Sequence, residues 1–155
     1  MKKIAIFPGS FDPITKGHES VVKRALPLFD KIIIAIGNNS EKNDSLFPLK
    51  SRINWIKQTF NNKPKVEVKE YNGLTIDFCK KMKAGFILRG LRTSADFEFE
   101  RAIAQTNRFL AKNIETIFIL TTPEHTSITS TIVREVFKNG GDASLFVPKG
   151  IILKK

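Results

Sequence analysis

The chain has 155 residues, of which 41% are hydrophobic, so it can bury one core but hardly two. Its 26 lysines and arginines exceed its 15 aspartates and glutamates, and the net charge of +11 indicates anionic partners. A nucleic-acid partner is not favoured, because the lysines are scattered and most of the 13 phenylalanines fall in apolar periodic segments typical of a core. We therefore expect a single domain over residues 1–155.

The distribution of apolar residues and cysteine indicates a cytoplasmic protein without membrane contacts. No apolar run approaches the roughly 20 residues that span a bilayer, and the first run stops at Pro8, too early for a secretory leader. Cys79 is the only cysteine, which is typical of a packed thiol in a reducing compartment. Because the chain has only two histidines and one cysteine, a metal centre rich in nitrogen and sulfur ligands is not expected, and we assign no protein metal ligand.

Strand-like and helix-like segments alternate along the chain. The predicted strands are 3–7, 31–36, 66–70, 86–89 and 116–120. The predicted helices are 17–26, 49–60, 74–82, 94–112 and 130–138. Residues 97–100 alternate as in a strand, but Thr93 and Asp96 form a helix start and the helical face continues beyond them. The alternation predicts an α/β fold: a single-domain, Rossmann-like, doubly wound sheet of about five parallel strands with helices on both faces.

The segment after the first predicted strand carries the most information. Proline and glycine residues end that strand, and a helical pattern begins after Gly17. His18 therefore falls in the first helical turn, where free amide groups favour an anion. Ser10 lies at the strand side of the same turn, so both side chains face the crevice at the carboxyl end of the sheet, where open α/β folds bind ligands. A single histidine near a helix start more often only packs or caps the helix. The hypothesis of a ligand site therefore depends on the complete segment from the end of the strand to His18.

Several common chemistries lack their sequence signatures. There is no Gly-x-x-x-x-Gly-Lys-Ser/Thr loop, and no Gly-x-Gly-x-x-Gly follows the first strand. A hydrolase built from Ser10, Asp12 and His18 lacks the nucleophile elbow. What remains is alignment and charge neutralisation of phosphates. The groups expected to supply positive charge beyond the strand ends are His18, Lys42, Arg89 and Arg92.

Two separated strings resemble the signatures of one superfamily. Residues 15–18, Thr-Lys-Gly-His, resemble the Thr/His-x-Gly-His motif of a nucleotidyltransferase superfamily. Residues 128–134, Ile-Thr-Ser-Thr-Ile-Val-Arg, are similar to its Ile-Ser-Ser-Thr-x-x-Arg segment. Three further strings, at residues 8–13, 89–92 and 96–100, are most similar to the phosphopantetheine adenylyltransferases, and the resemblance runs from about Ile4 to about Pro148.

This resemblance implies a reaction and its partners. The family joins the AMP part of ATP to 4'-phosphopantetheine, releasing pyrophosphate and forming dephospho-coenzyme A without a covalent enzyme intermediate. It also implies Mg²⁺ on the triphosphate, a homohexamer and feedback by coenzyme A. Hydrophobic periodicity by itself specifies neither the hexamer nor the feedback.

The resemblance also implies site residues. The matches to catalytic positions are Ser10, His18, Lys42 and Arg92. The matches to phosphopantetheine contacts are Ser10, Lys42, Leu74, Thr75 and Arg89. The matches to ATP contacts are Ser10, Phe11, His18, Gly90, Leu91, Arg92, Glu100, His125, Thr126, Ser127, Ile128, Thr129, Ser130 and Thr131. The chain departs from the family pattern at His125, where an aromatic ring is usual, and at residues 129–131, which replace a run of serines.

Two alternatives stay open at this point. A nucleotidyltransferase acting on nicotinamide mononucleotide, or a cytidylyltransferase, shares the first signature, although the Arg-Gly-Leu-Arg string at residues 89–92 disfavours both. From another class, a basic RNA-binding module predicts affinity for polynucleotide that falls steeply with salt.

Overall fold

A computed structural model describes residues 1–38 and 44–154 of the chain. The strands are β1 (Ile4–Gly9), β2 (Lys31–Gly37), β3 (Val66–Tyr71), β4 (Phe86–Leu91) and β5 (Glu115–Leu120). The α-helices are α1 (Lys16–Ala25), α2 (Leu49–Thr59), α3 (Thr75–Met82), α4 (Ser94–Leu110) and α5 (Ser130–Lys138). Short 3₁₀ turns lie at Leu26–Leu28, Pro123–His125 and Ala143–Phe146. Each predicted element is present with ends within two residues of the prediction, and residues 97–100 are helical as expected.

The five strands form one parallel sheet in the order β3-β2-β1-β4-β5. The chain builds outward from β1 through β2 to β3, and then crosses over to place β4 on the other side of β1. The direction of winding reverses between β1 and β4, so the loops that follow these two strands diverge and leave a crevice at their carboxyl ends. This arrangement confirms the predicted fold class.

Both faces of the central strands are buried, as expected for a doubly wound parallel sheet. In β1, Phe7 packs into a cluster that contains residues of α1, α2 and α5, while its neighbour Ile6 packs into a second cluster with α3. In β2, Ile34 and Ile33 divide between the two clusters in the same way. The strand carboxyl ends are therefore held rigidly from both sides, which is what a site placed there requires.

Helix α4 differs from the others because it buries little of its own surface. Of its 17 residues, Glu100 alone is buried, while Phe99 and Phe109 are exposed.

Across the described part of the chain, no helix combines the length and apolar character needed to cross a bilayer.

Candidate active site

A crevice of about 380 Å³ opens between the loops that follow β1 and β4. Its lining includes the following residues singled out by the sequence: Ser10, Phe11, His18, Arg89, Gly90, Arg92, Glu100, His125, Ile128, Thr129, Ser130 and Thr131. The two separated signatures thus meet at one crevice. This meeting is the geometry that the sequence hypothesis required.

The loop after β1 is shaped by packing of aromatic rings. Phe11 adopts a left-handed backbone conformation with φ of +46°, which is uncommon for a bulky residue and is tolerated where the surroundings hold it. Its buried ring makes edge contacts with Phe7 and His18, with centroids 5.4 and 5.0 Å away. The ring of Phe11 therefore packs against the imidazole and limits the orientations that His18 can adopt.

A reciprocal cap holds His18 at the start of α1. The backbone amide of His18 donates to Thr15 Oγ1 at 3.3 Å, and the backbone amide of Thr15 donates to His18 Nδ1 at 3.0 Å. Because Nδ1 accepts a hydrogen bond, the single proton of the neutral ring resides on Nε2. Nε2–H is then the donor left for a ligand.

The charge of His18 corrects one sequence expectation. Burial, together with the nearby guanidinium groups of Arg89 and Arg92, lowers the pKa of His18 to about 4. The imidazole is therefore neutral at pH 7 and does not supply positive charge, contrary to the expectation from the sequence. The physical cause is first the desolvation of the ring and then the positive charge of Arg89 in β4 and Arg92 just after it, all of which favour the uncharged form.

Arg89, in β4, and Arg92, directly after it, are each bound to a carboxylate of α4. Arg89 donates from Nε and Nη2 to both oxygens of the buried Glu100 and from Nη1 to the carbonyl of Pro8 at 2.7 Å. Arg92 donates from Nε and Nη2 to Asp96, each at 3.1 Å. The bidentate pairs fix both guanidinium groups at the edge of the crevice. They also mean that Glu100, matched to an ATP contact, is already engaged by Arg89.

The N-terminus of α5 is joined to the loop after β1 by hydrogen bonds between segments more than 100 residues apart. Ser130 Oγ donates to the carbonyl of Pro13 at 2.8 Å, and Arg134 Nη1 donates to the carbonyl of Asp12 at 2.8 Å. Thr129 caps the helix by accepting from the amide of Ile132 at 3.0 Å. The amide groups at this helix end, with the neighbouring hydroxyls, form a surface suited to phosphate.

A second cavity of about 330 Å³ adjoins the crevice. Ser10 and Arg89 line both cavities, whereas Thr75 lines the second cavity alone. Thr75 Oγ1 and the Tyr71 hydroxyl share a hydrogen bond of 2.8 Å at its edge. Leu74, directly before α3, is an exposed side chain.

The remaining predicted residues are placed as follows. Leu91, Thr126 and Ser127 line neither cavity. His125 lines the crevice, and its Nδ1 shares a hydrogen bond of 3.1 Å with Thr122 Oγ1. Lys42 lies outside the residues that the structure describes.

Some residues of the crevice received no role from the sequence. Thr15 and Arg134 belong to the two signatures, so the strings themselves were the signal for both. Asp96 lies in a predicted helix start, where its pairing with Arg92 across one turn could have been anticipated from the i, i+4 spacing. Thr121, just after β5, carried no local signal.

Within residues 1–38 and 44–154, no three His, Cys, Asp or Glu side chains come together in a group able to hold a metal ion. Asp96 and Glu100, the two carboxylates that line the crevice, are both bound to arginines.

Comparisons with known proteins agree with the geometry. A protein-family model described as cytidylyltransferase-like matches residues 6–136. A phosphopantetheine adenylyltransferase of Flavobacterium psychrophilum is 59% identical over 150 residues, which cover 97% of this chain and 98% of that protein. The enzyme of the same name from Christiangramia forsetii is 51% identical over the full length of both chains.

A solved structure supports the same fold. A putative nicotinate-nucleotide adenylyltransferase from Vibrio parahaemolyticus superposes with a TM-score of 0.71 at 22% identity, covering 95% of this chain and 94% of that one. At this identity the likeness concerns the fold alone. The full-length sequence relatives are closer, and they decide the family. The chain belongs to the phosphopantetheine adenylyltransferases, within the cytidylyltransferase-like nucleotidyltransferases.

Proposed function

We propose that the crevice aligns ATP with 4'-phosphopantetheine and transfers the adenylyl group directly, giving dephospho-coenzyme A and pyrophosphate. Membership of the family over the whole chain supports the reaction. The observation that carries the site is that His18 and the N-terminus of α5 line one crevice. Because the phosphate of the acceptor is itself the nucleophile, the enzyme needs no covalent intermediate and works by alignment and charge stabilisation.

The nucleotide side of the site is the half formed by α5 and by the end of β4. The hydroxyls of Thr129 and Thr131 and the backbone amides of the first turn of α5 offer donors at a helix N-terminus, which suits the triphosphate. The Ser130 hydroxyl already donates to the carbonyl of Pro13. Arg92 and Arg134 add positive charge at the same crevice. His125, oriented by Thr122, takes the place where the family usually has an aromatic ring.

The acceptor side is the adjoining cavity. Its lining mixes the polar Thr75 and Asn107 with the apolar side chain of Ile103, a combination that suits the amide and methyl groups of a pantetheine arm. Ser10 and Arg89 lie where the two cavities join, so the phosphate of the acceptor would reach the α-phosphate of ATP there. Lys42 is proposed to bind the same acceptor phosphate, as the family resemblance implies.

His18 is proposed to act as a neutral hydrogen-bond donor. Its Nε2–H would donate to a phosphoryl oxygen as charge redistributes in the transition state, while Arg89 and Arg92 supply the positive charge. A neutral imidazole suits this role because it donates a hydrogen bond without giving up a proton that it must later recover.

The residues of the crevice fit a magnesium ion carried by the nucleotide. The phosphates of the nucleotide and waters would supply the ligands of this ion, and no side chain of the chain is proposed to coordinate it. When bound, the ion neutralises charge on the triphosphate. Asp96 and Glu100, held by arginines, are not proposed as ligands.

The exposed apolar side chains of α4 support an oligomer. Phe109 is 88% exposed and Phe99 is 66% exposed, more than a monomer normally leaves in water on one helix. We take the homohexamer from the family resemblance, with coenzyme A as a feedback ligand that would use the same two cavities. The cytoplasm is the proposed location, and the buried free thiol of Cys79 fits its reducing conditions.

A direct assay tests the reaction. Purified protein is incubated with ATP, Mg²⁺ and phosphopantetheine, and pyrophosphate release and dephospho-coenzyme A are followed together. Nicotinamide mononucleotide as acceptor, and CTP as donor, are the matched controls. We expect turnover only with ATP and phosphopantetheine. Turnover with nicotinamide mononucleotide but not with phosphopantetheine would contradict the proposal.

A further inference from the structure

Two buried charged side chains lie behind the site without lining it. Asp12, in the loop after β1, is 4% exposed, and Arg52, in the first turns of α2, is 6% exposed. Neither belongs to the lining of the crevice or of the adjoining cavity. Charged residues are rarely buried to this degree unless they are fully partnered, so their bonds indicate what they do.

Four hydrogen bonds join these side chains to backbone on two segments. The carboxylate of Asp12 accepts from the amides of Leu46 at 2.8 Å and Phe47 at 2.9 Å. The guanidinium of Arg52 donates from Nε to the carbonyl of Phe47 at 3.1 Å and from Nη1 to the carbonyl of Ser10 at 2.7 Å. We call Asp12 and Arg52 together the buried clamp, because they tie residues 10–12 to residues 46–47.

Burying two charged side chains carries a desolvation cost. Burial lowers the pKa of Arg52, and the nearby carboxylate of Asp12 opposes that shift. Removing two charges from water costs several kcal/mol per ion, and well-packed apolar residues of similar size often stabilise a fold equally well. What apolar packing cannot supply is directional bonding, which sets the relative positions of backbone groups to a fraction of an ångström.

We propose that Asp12 and Arg52 are positioning residues for adenylyl transfer, acting through the backbone of Ser10. This inference rests on the proposed function. The carbonyl of Ser10 is held by Arg52, and Ser10 lines both the crevice and the adjoining cavity. A shift of this backbone moves its hydroxyl relative to both substrates at once. A misplacement of about 1 Å can cost about 100-fold in rate.

The clamp also reaches the nucleotide side. The backbone carbonyl of Asp12 accepts from Arg134 Nη1, and Nη2 of the same arginine donates to Thr131 Oγ1 at 3.1 Å. One residue therefore connects the loop after β1, the segment before α2 and the N-terminus of α5. This placement is what the alignment of two substrates from opposite sides requires.

The test substitutes the guanidinium while keeping its charge. Arg52→Lys retains a cation, but a lysine ammonium lacks the planar fork that bonds two carbonyls in fixed directions. We expect kcat to fall by about 10- to 100-fold, with KM for ATP close to that of the wild type. Asp12→Asn is the second variant. The oxygen of its side-chain amide can still accept from one of the two backbone N–H groups, but its NH₂ group then faces the other N–H and cannot accept from it. We expect the same split between kcat and KM.

The control is Ile114→Val, which trims a buried residue just before β5, at the opposite end of the sheet. It should cost about 1 kcal/mol of stability and leave kcat unchanged. Thermal melts of all variants separate stability from rate. A folded Arg52→Lys with wild-type kcat would overturn the proposal, as would failure of both clamp variants to fold, which would assign the clamp to stability. An inactive wild type would instead refute the proposed function, and the clamp's role with it.

Discussion

Charged residues at the carboxyl end of the parallel sheet differ in burial from a charged pair at its amino end. At the carboxyl end, Asp12, Arg52 and Glu100 are buried, and each is bonded to partners on another segment of the chain. At the amino end, Arg108 and Glu115 pair at 2.8 Å with 58% and 57% of their side chains exposed. Both ends belong to the same five strands, yet the named charges are buried at one end and this pair is left in water at the other.

The contrast shows that the carboxyl end of the sheet fixes the positions of its charged groups, although burying them costs stability. Exposed ion pairs contribute little because water and salt compete for both partners. Buried charges require complete hydrogen bonding, and in the described residues no buried side-chain nitrogen or oxygen lacks a partner. The carboxyl end therefore holds its polar groups in fixed places before any substrate arrives, which is the condition for electrostatic catalysis.

The largest expected effect tests the carboxyl end at His18. His18→Ala should lower kcat by about 100- to 1000-fold, because it removes a donor that acts on the transition state. ATP affinity should stay close to that of the wild type, as measured by equilibrium titration. Lys23→Ala, at an exposed position on the same helix, is the control. Full turnover by the alanine variant would show that the imidazole only packs.

The acid range tests the same residue through stability. The unfolded chain protonates His18 near pH 6.5 and the folded chain near pH 4, so the wild type loses stability as the pH falls between these values. Relative to His18→Gln, the loss should reach about 3 kcal/mol at pH 4 and level off below it. Urea unfolding from pH 7 to pH 3.5 measures the difference. Parallel curves for the two proteins would mean that the imidazole is not desolvated in solution.

A smaller effect is expected when the lysine proposed to bind the acceptor phosphate is removed. Lys42→Ala should raise KM for phosphopantetheine by about 10-fold or more, the loss expected for one charge-assisted hydrogen bond, with kcat and ATP affinity less affected. Lys50→Ala, nearby in the chain at the start of α2, serves as a matched lysine control. An unchanged KM for phosphopantetheine in steady-state kinetics would remove Lys42 from the site.

The smallest effect belongs to the amino end of the sheet. Glu115→Gln removes the exposed pair with Arg108 and should change the free energy of unfolding by at most about 0.5 kcal/mol, with no change in kcat. Chemical denaturation and the pyrophosphate assay measure the two quantities. A large loss of either would break the comparison between the two ends.

The elements of the fold were predictable because their signals are local. Continuous β-branched runs such as residues 32–34 indicate two-sided strands, and Thr93 and Thr129 cap helices that begin one residue later. The two signatures likewise placed His18 and residues 129–131 at a common crevice, since carboxyl ends of parallel strands share one edge.

The state of each site group was decided only by tertiary contacts. The sequence analysis expected His18 to be a cation, yet burial, Arg89 and Arg92 lower its pKa and keep it neutral at pH 7. Glu100 reads as a free ligand group, yet Arg89 takes both of its oxygens. Arg52 carried no signal, because its partner Ser10 is 42 residues away in the chain. Charge and hydrogen-bond state depend on distances and desolvation across the fold, whereas strand and helix depend on neighbours along the chain.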